Sequence, residues 1–135
     1  MLKKWGLGEA TFFERARRAA AGLPAPAEIS FYDYPYFVYL KHCRAGAAEE
    51  ARFAAMLADL PGLIQKAEDH FPLFNRAWYG AAEFVEPETL AQQAARFVSA
   101  IHPDGDIDSP YPQLPSWNPI FLLDGLIMLR RFGFL

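Results

Sequence analysis

One cysteine, Cys43, and three histidines in 135 residues leave little material for chemistry. A single thiol cannot close an internal disulfide, so nothing ties the chain to an oxidising compartment. His42, His70 and His102 stand far apart, and with Cys43 they form no close C-x-x-C or H-x-x-x-H pair of the kind zinc requires. A glycine-rich phosphate loop, a His-Glu-x-x-His and a Gly-x-Ser-x-Gly elbow are also missing. No apolar run approaches the ~20 residues of a bilayer span. The most apolar stretch, Ile120 to Leu129, is interrupted by Asp124. Lys3 and Lys4 have no apolar block behind them, so the amino terminus does not read as a secretory signal. The net charge of -3 argues against a nucleic-acid binder, which needs a basic face. These absences leave the expectation of a cytoplasmic protein with no membrane segment, no cofactor, no metal and no nucleic-acid partner.

What is present describes a well-built globular chain. Hydrophobic residues make up 53% and charged residues 21%, enough to bury a core at this length. The aromatic share of 16% is high, and aromatics serve both cores and binding hot spots. Charge is unevenly placed. Lys3, Lys4, Arg15, Arg17 and Arg18 cluster near the start, whereas Glu83, Glu86, Glu88, Asp104, Asp106 and Asp108 dominate residues 83–108. That polarity could steer a charged partner, or the two ends could attract each other within the fold.

Helical signals outnumber strand signals. Thr11 and Glu14 have capping-box spacing, and Gly22 stands where the ensuing helix, 12–21, should stop. Asp33 followed by Pro35 resembles a helix start for 35–44, although the aromatic and β-branched residues of 28–44 also suit a strand. After Gly46, Ala51, Ala54, Ala55, Leu57 and Ala58 recur at helical spacing through residue 60, behind Glu49 and Glu50 in the first turn. Pro61 reads as the start of another helix to about His70, and Pro72 as a further restart with Phe71, Phe74 and Trp78 on one side. Pro87 opens a helix to about Ile101, with Leu90, Ala94, Phe97, Val98 and Ile101 inward, and Asn118 and Pro119 open the last, to about residue 131. The expected fold is all-α: a single compact domain over 1–135, of about six short helices, with a proline-rich acidic loop before the C-terminal helix.

Four features could carry function. In the loop 102–119, Asp104, Asp106 and Asp108 alternate as the first ligands of a calcium loop do. Ser109 then stands where glycine should be, and Pro115 where the bidentate glutamate should be, so a solvated acidic turn is the better reading. Tyr111 and Trp117 on the same proline-stiffened loop make a reasonable epitope, because a stiff loop loses little entropy on docking. Tyr32, Tyr34, Tyr36 and Tyr39 place four hydroxyls in eight residues, which suits a recognition surface or a rim around a core. The C-terminal helix, with Ile120, Phe121, Leu122, Leu123, Leu126, Ile127, Met128 and Leu129, is apolar nearly all round. Such a helix is either central to the core or covered by another chain, including a second copy of this one. Asp124 within it needs a donor, most simply Arg130, Arg131 or a partner's arginine.

His42 is poorly placed as a base for Cys43, since adjacent residues on a helix point about 100° apart. The leading expectation is therefore a non-catalytic protein-binding domain. Its partner surface comprises Tyr32, Tyr34, Tyr36, Tyr39, Asp104, Asp106, Asp108, Tyr111 and Trp117. Small acidic bacterial immunity proteins and antitoxins have this general character, an analogy of composition with no motif behind it. The alternatives are a small enzyme or ligand-binding helical domain using His70, His102 and nearby aspartates, and a structural subunit completed through its C-terminal helix.

Overall fold

Proline and glycine punctuate the architecture. The computed structural model describes residues 33–135 together with Glu14, Arg15, Arg18, Ala19, Gly22, Ala25 and Ile29. Of the helix expected over 12–21, Glu14, Arg15, Arg18 and Ala19 are helical, and Gly22 donates its N–H to the Ala19 carbonyl at 3.3 Å. The rest of that span, Thr11 included, lies outside the described residues, as does Tyr32. Among the described residues the fold is all-α, with four α-helices after Asp33, short 3-10 turns and no strand.

Helix α1 runs Tyr34–Cys43. The Asp33 carbonyl accepts from the N–H groups of Tyr36 and Phe37, and Pro35 sits in the first turn, where its missing donor is harmless. The ambiguity over 35–44 resolves to helix because Phe37 and Leu40, one turn apart, are both 1% exposed. Arg44 ties its end to the next helix. The guanidinium donates to the Leu40 and Lys41 carbonyls at 3.0 and 2.8 Å, pairs with Glu50 at 2.8 Å and lies 4.3 Å from the Phe53 ring centre. Carbonyls that a helix end leaves unpaired are thus satisfied by a side chain that also packs.

Helix α2, Ala47–Lys66, follows Gly46, whose φ of +87° only glycine adopts easily. Glu49 reaches back to accept from the Ala45 N–H and from the Tyr39 hydroxyl. Two expectations fail here. Pro61 starts no new helix but lies inside α2. Its ring removes one backbone hydrogen bond, yet Leu60, Leu63 and Ile64 are buried on either side, and that packing outweighs the break. The inward face is also different: Phe53, Met56, Leu60, Leu63 and Ile64 are buried, while Ala51, Ala54, Ala55 and Ala58 are exposed. Large side chains gain more from burial than methyl groups do, so they choose the face.

Past α2 the chain turns through Glu68–His70 and reaches Phe71, whose φ of +46° is left-handed although it is not glycine. The helix expected after Pro72 is replaced by two 3-10 segments, Pro72–Phe74 and Tyr79–Phe84. Asn75 separates them, its side chain accepting from the N–H groups of Ala77 and Trp78 at 3.0 Å each. The short Pro72–Phe74 turn is the hub of the fold. Its three residues are buried, and it touches the 79–84 segment and both remaining helices.

Those are α3, Pro87–Ser99, and α4, Asn118–Arg131. In α3, Ala94 and Phe97 are buried and Leu90 is half-buried, as the periodicity predicts. Val98, expected inward, is 51% exposed, and Gln93 is buried in its place with no hydrogen-bond partner for its Oε1. Helix α4 begins where Asn118–Pro119 predicts, but Asn118 does not cap it. Its Oδ1 accepts instead from the Ser109 N–H at 3.1 Å. At Gly125 the Phe97 ring of α3 lies directly against the α4 backbone, so that any Cβ there would collide with it.

The high aromatic content goes mostly into this core. Phe37 packs against Trp78, Phe53 and Phe84, with Tyr34 edge-on to Trp78. Phe97 packs against Phe71 and Phe74, and Phe74 meets Phe132 edge-on. A third group, Tyr111, Trp117 and Phe121, pins the long loop to α4.

Candidate interaction surface

The acidic loop is built around one buried side chain. Ile101 and Ile107 form an isolated antiparallel bridge, His102 N–H donates to the Asp106 carbonyl at 2.8 Å, and Gly105 at φ +85° closes the turn. Ile107 is 1% exposed. In an extended segment successive side chains alternate faces, so Asp106 and Asp108 point out because Ile107 points in. The alternation that resembles a calcium loop is that of a miniature hairpin. Asp104 accepts from the Asp106 N–H and Asp106 from the Ile107 N–H, while Asp108 lies 3.5 Å from the His102 ring nitrogen. Among the described residues, no three His, Cys, Asp or Glu side chains gather as a metal site requires.

After Ser109 the loop folds back on itself. The Tyr111 carbonyl accepts from Leu114 N–H, the Leu114 carbonyl from Trp117 N–H, and Tyr111 rests on Trp117 and Phe121. Trp117 remains 44% exposed. It begins an apolar strip that continues along the outer face of α4 through Ile120, Leu123 and Ile127, flanked by Leu126. These side chains are 37–55% exposed. The helix is therefore not central to the core. Gly125, Met128 and Leu129 are buried, Phe121 and Leu122 half-buried, and the opposite side is open.

Asp124 sits beside that strip with a partner the sequence did not point to. Arg76 grips it with two bonds, Nε to Oδ2 at 2.7 Å and Nη2 to Oδ1 at 2.9 Å, and adds its backbone N–H. Hydrogen bonding to Asp124 holds the Arg76 pKa above its ordinary value. The expected donor Arg131 instead stacks on Tyr79, 4.7 Å from the ring centre.

The tyrosine row of α1 does not form one presented surface. Tyr36 is buried in the core, Tyr34 and Tyr39 are half-buried, and the Tyr39 hydroxyl is committed to Glu49 at 2.7 Å. Helical geometry turns residues 36 and 39 to neighbouring sides and the core takes the larger share. Burial, then the neighbouring Tyr79, pushes the Tyr34 phenol above its ordinary pKa.

Behind α1 lies an open cleft of about 1310 Å³, bordered by Tyr34, Lys41, His42, Cys43, Glu83 and Arg131 among others. His70 and His102, expected to line any pocket, do not border it. His70 sits edge-on to Tyr111, and His102 faces Asp108. Lys41 on the cleft's wall is already engaged: its Nζ donates to the Gly80 carbonyl at 2.8 Å and pairs with Glu83 at 2.9 Å. Burial, then Lys41, depresses the His42 pKa.

No family model, curated protein or solved structure matches this chain.

Proposed function

We propose that the protein is a non-catalytic domain that works by protein–protein association, through the outer face of α4 and the acidic turn at that helix's N-terminal end. One observation carries the reading: Trp117, Ile120, Leu123, Leu126 and Ile127, large apolar side chains of a single helix and its lead-in turn, lie open to solvent together. Scattered surface hydrophobics are ordinary, whereas a contiguous apolar strip rimmed by charges is the usual mark of a binding surface. Trp117 anchored by Tyr111 has the character of a binding hot spot, a rigid aromatic held half out of its packing. Asp104, Asp106 and Asp108 supply an exposed acidic rim. The cleft behind α1 favours a ligand-binding reading less, because Lys41 and Glu83 satisfy each other there.

The test is native size. Size-exclusion of extract from the native host, followed with an antibody, should place the chain well above its 15.2 kDa monomer mass. Leu123→Lys, at an exposed position, should return it to the monomer volume without loss of helical content. Elution of the unmodified protein as a monomer would refute the association reading.

A further inference from the structure

Residues of α4 that face solvent are not randomly distributed. Ile120, Leu123, Ile127 and Arg130 follow one another at intervals of three, four and three, the spacing that keeps a seam on one side of a helix and lets two helices interlock. Across the ten helical steps from Ile120 to Arg130 the seam is ~15 Å long. Its middle is apolar and its ends differ in charge. At the C-terminal end Arg130 and Arg131 are exposed. At the N-terminal end the Ser109 N–H bond to Asn118 fixes Asp108 close to the first turn, with Asp104 and Asp106 on the same hairpin.

A surface with an apolar centre, a basic end and an acidic end is its own complement after a twofold rotation. We infer that α4 is covered by α4 of a second copy of this chain, the two helices running antiparallel; this rests on the association reading above. In that arrangement Leu123 of each copy meets Ile127 of the other, and Ile120 meets the stem of Arg130. Arg130 of each copy arrives at the other copy's aspartates, while Arg131 stays stacked on Tyr79. Parallel pairing would instead stack Arg130 on Arg130 across the seam, a like-charge contact that disfavours it. Twofold pairing of one patch with itself is the commonest way a soluble chain dimerises.

Size is consistent with this. Trp117, Ile120, Leu123, Leu126 and Ile127 leave on the order of 450 Å² of surface uncovered, as large as the largest patch of a typical monomer. With Arg130 and the acidic turn added, the area moves toward the ~800 Å² that each partner buries in a standard interface. The ion pair Arg76–Asp124 stands at the flank of the seam, where it is already satisfied and leaves no lone charge to bury.

The experiment combines light scattering on the purified full chain with a photo-crosslinking residue at position 127 in native cells. At about 100 µM, which populates any dimer of micromolar Kd, a two-chain mass is expected. Leu123→Arg should weaken self-association at least roughly tenfold, as loss of a central anchor does, with the far-UV spectrum of the folded chain retained. Arg130→Glu should also weaken it, and adding Asp108→Arg should restore part of the loss. The crosslink at position 127 should join two identical chains. A single-chain mass, or a two-chain mass indifferent to Leu123→Arg, overturns the second-copy proposal. If position 127 then crosslinks to a different protein, the association reading stands without it; if it crosslinks to nothing, both fall.

Discussion

Gly125→Ala is a sharp test of how α3 and α4 meet, because two effects of opposite sign compete there. An alanine in the middle of a helix is favoured over glycine by about 1 kcal/mol. Propensity alone therefore predicts a more stable protein. Against it stands the Phe97 ring: a Cβ built at Gly125 falls inside 3.0 Å of Cζ, Cε1 and Cε2, where something must shift. The ring has nowhere to go. It is 0% exposed, stacked on Phe74 at 5.7 Å and met edge-on by Phe71 at 5.5 Å. Overpacking a tight core costs about 1–3 kcal/mol and occasionally more, and a clash with three atoms of a trapped ring belongs at the upper end. The net expectation is a loss of about 2 kcal/mol, or a fall in Tm of roughly 5–10 °C in a domain of this size. Urea and thermal unfolding followed by circular dichroism would measure it. A double-mutant cycle isolates the cause: with Phe97→Ala already in place, Gly125→Ala should become neutral or stabilising. Should Gly125→Ala alone match or exceed the native Tm, the seating of the Phe97 ring against Gly125 is refuted.

Removing the two ends of the Arg76–Asp124 pair should have unequal effects. The Asp124 side chain is 13% exposed and that of Arg76 62%, so Arg76→Ala strands a largely covered carboxylate and should cost about 1–3 kcal/mol. Asp124→Ala frees an arginine that returns to water and gains helix propensity, so it should cost less than about 1 kcal/mol; thermal melts showing the reverse order would contradict the geometry. At Gln93, 6% exposed with Oε1 unpartnered, Gln93→Met should raise stability by about 1 kcal/mol, since an unsatisfied buried acceptor is replaced by an apolar chain of similar length. A fall in Tm would mean that a buried water completes the amide.

Much of the architecture was legible because proline speaks locally. Pro35, Pro87 and Pro119 mark true first turns, where a fixed φ and a missing N–H suit the helix start. Pro61 carries the same signal and misleads, because only the tertiary burial of Leu60, Leu63 and Ile64 decides that the helix continues. The inward face of α2 is hidden from the sequence for a related reason: its alanines carry the helical period but do not fix which side the large residues claim. Asp124 shows the limit of a one-dimensional reading. The need for a donor was evident, yet Arg76 lies 48 positions away, and no periodicity links a 3-10 turn to the last helix. Likewise a helix apolar nearly all round cannot announce which half will stay dry. The acidic alternation at 104–108 reads as a turn, but its cause, the inward Ile107 between two outward aspartates, emerges only from the bridge to Ile101.

Phe71 limits how this chain can vary. Its backbone occupies a conformation that glycine or asparagine would hold with less strain, while its ring, 8% exposed, is wanted against Phe97. No single replacement satisfies both demands: glycine relaxes the backbone and empties the core, and a β-branched residue keeps bulk but worsens the strain. Attempts to evolve or redesign a more stable version will therefore find position 71 a local dead end. Improvement there would have to come in coordinated pairs, a relaxed backbone at 71 together with a larger side chain reaching in from across the core.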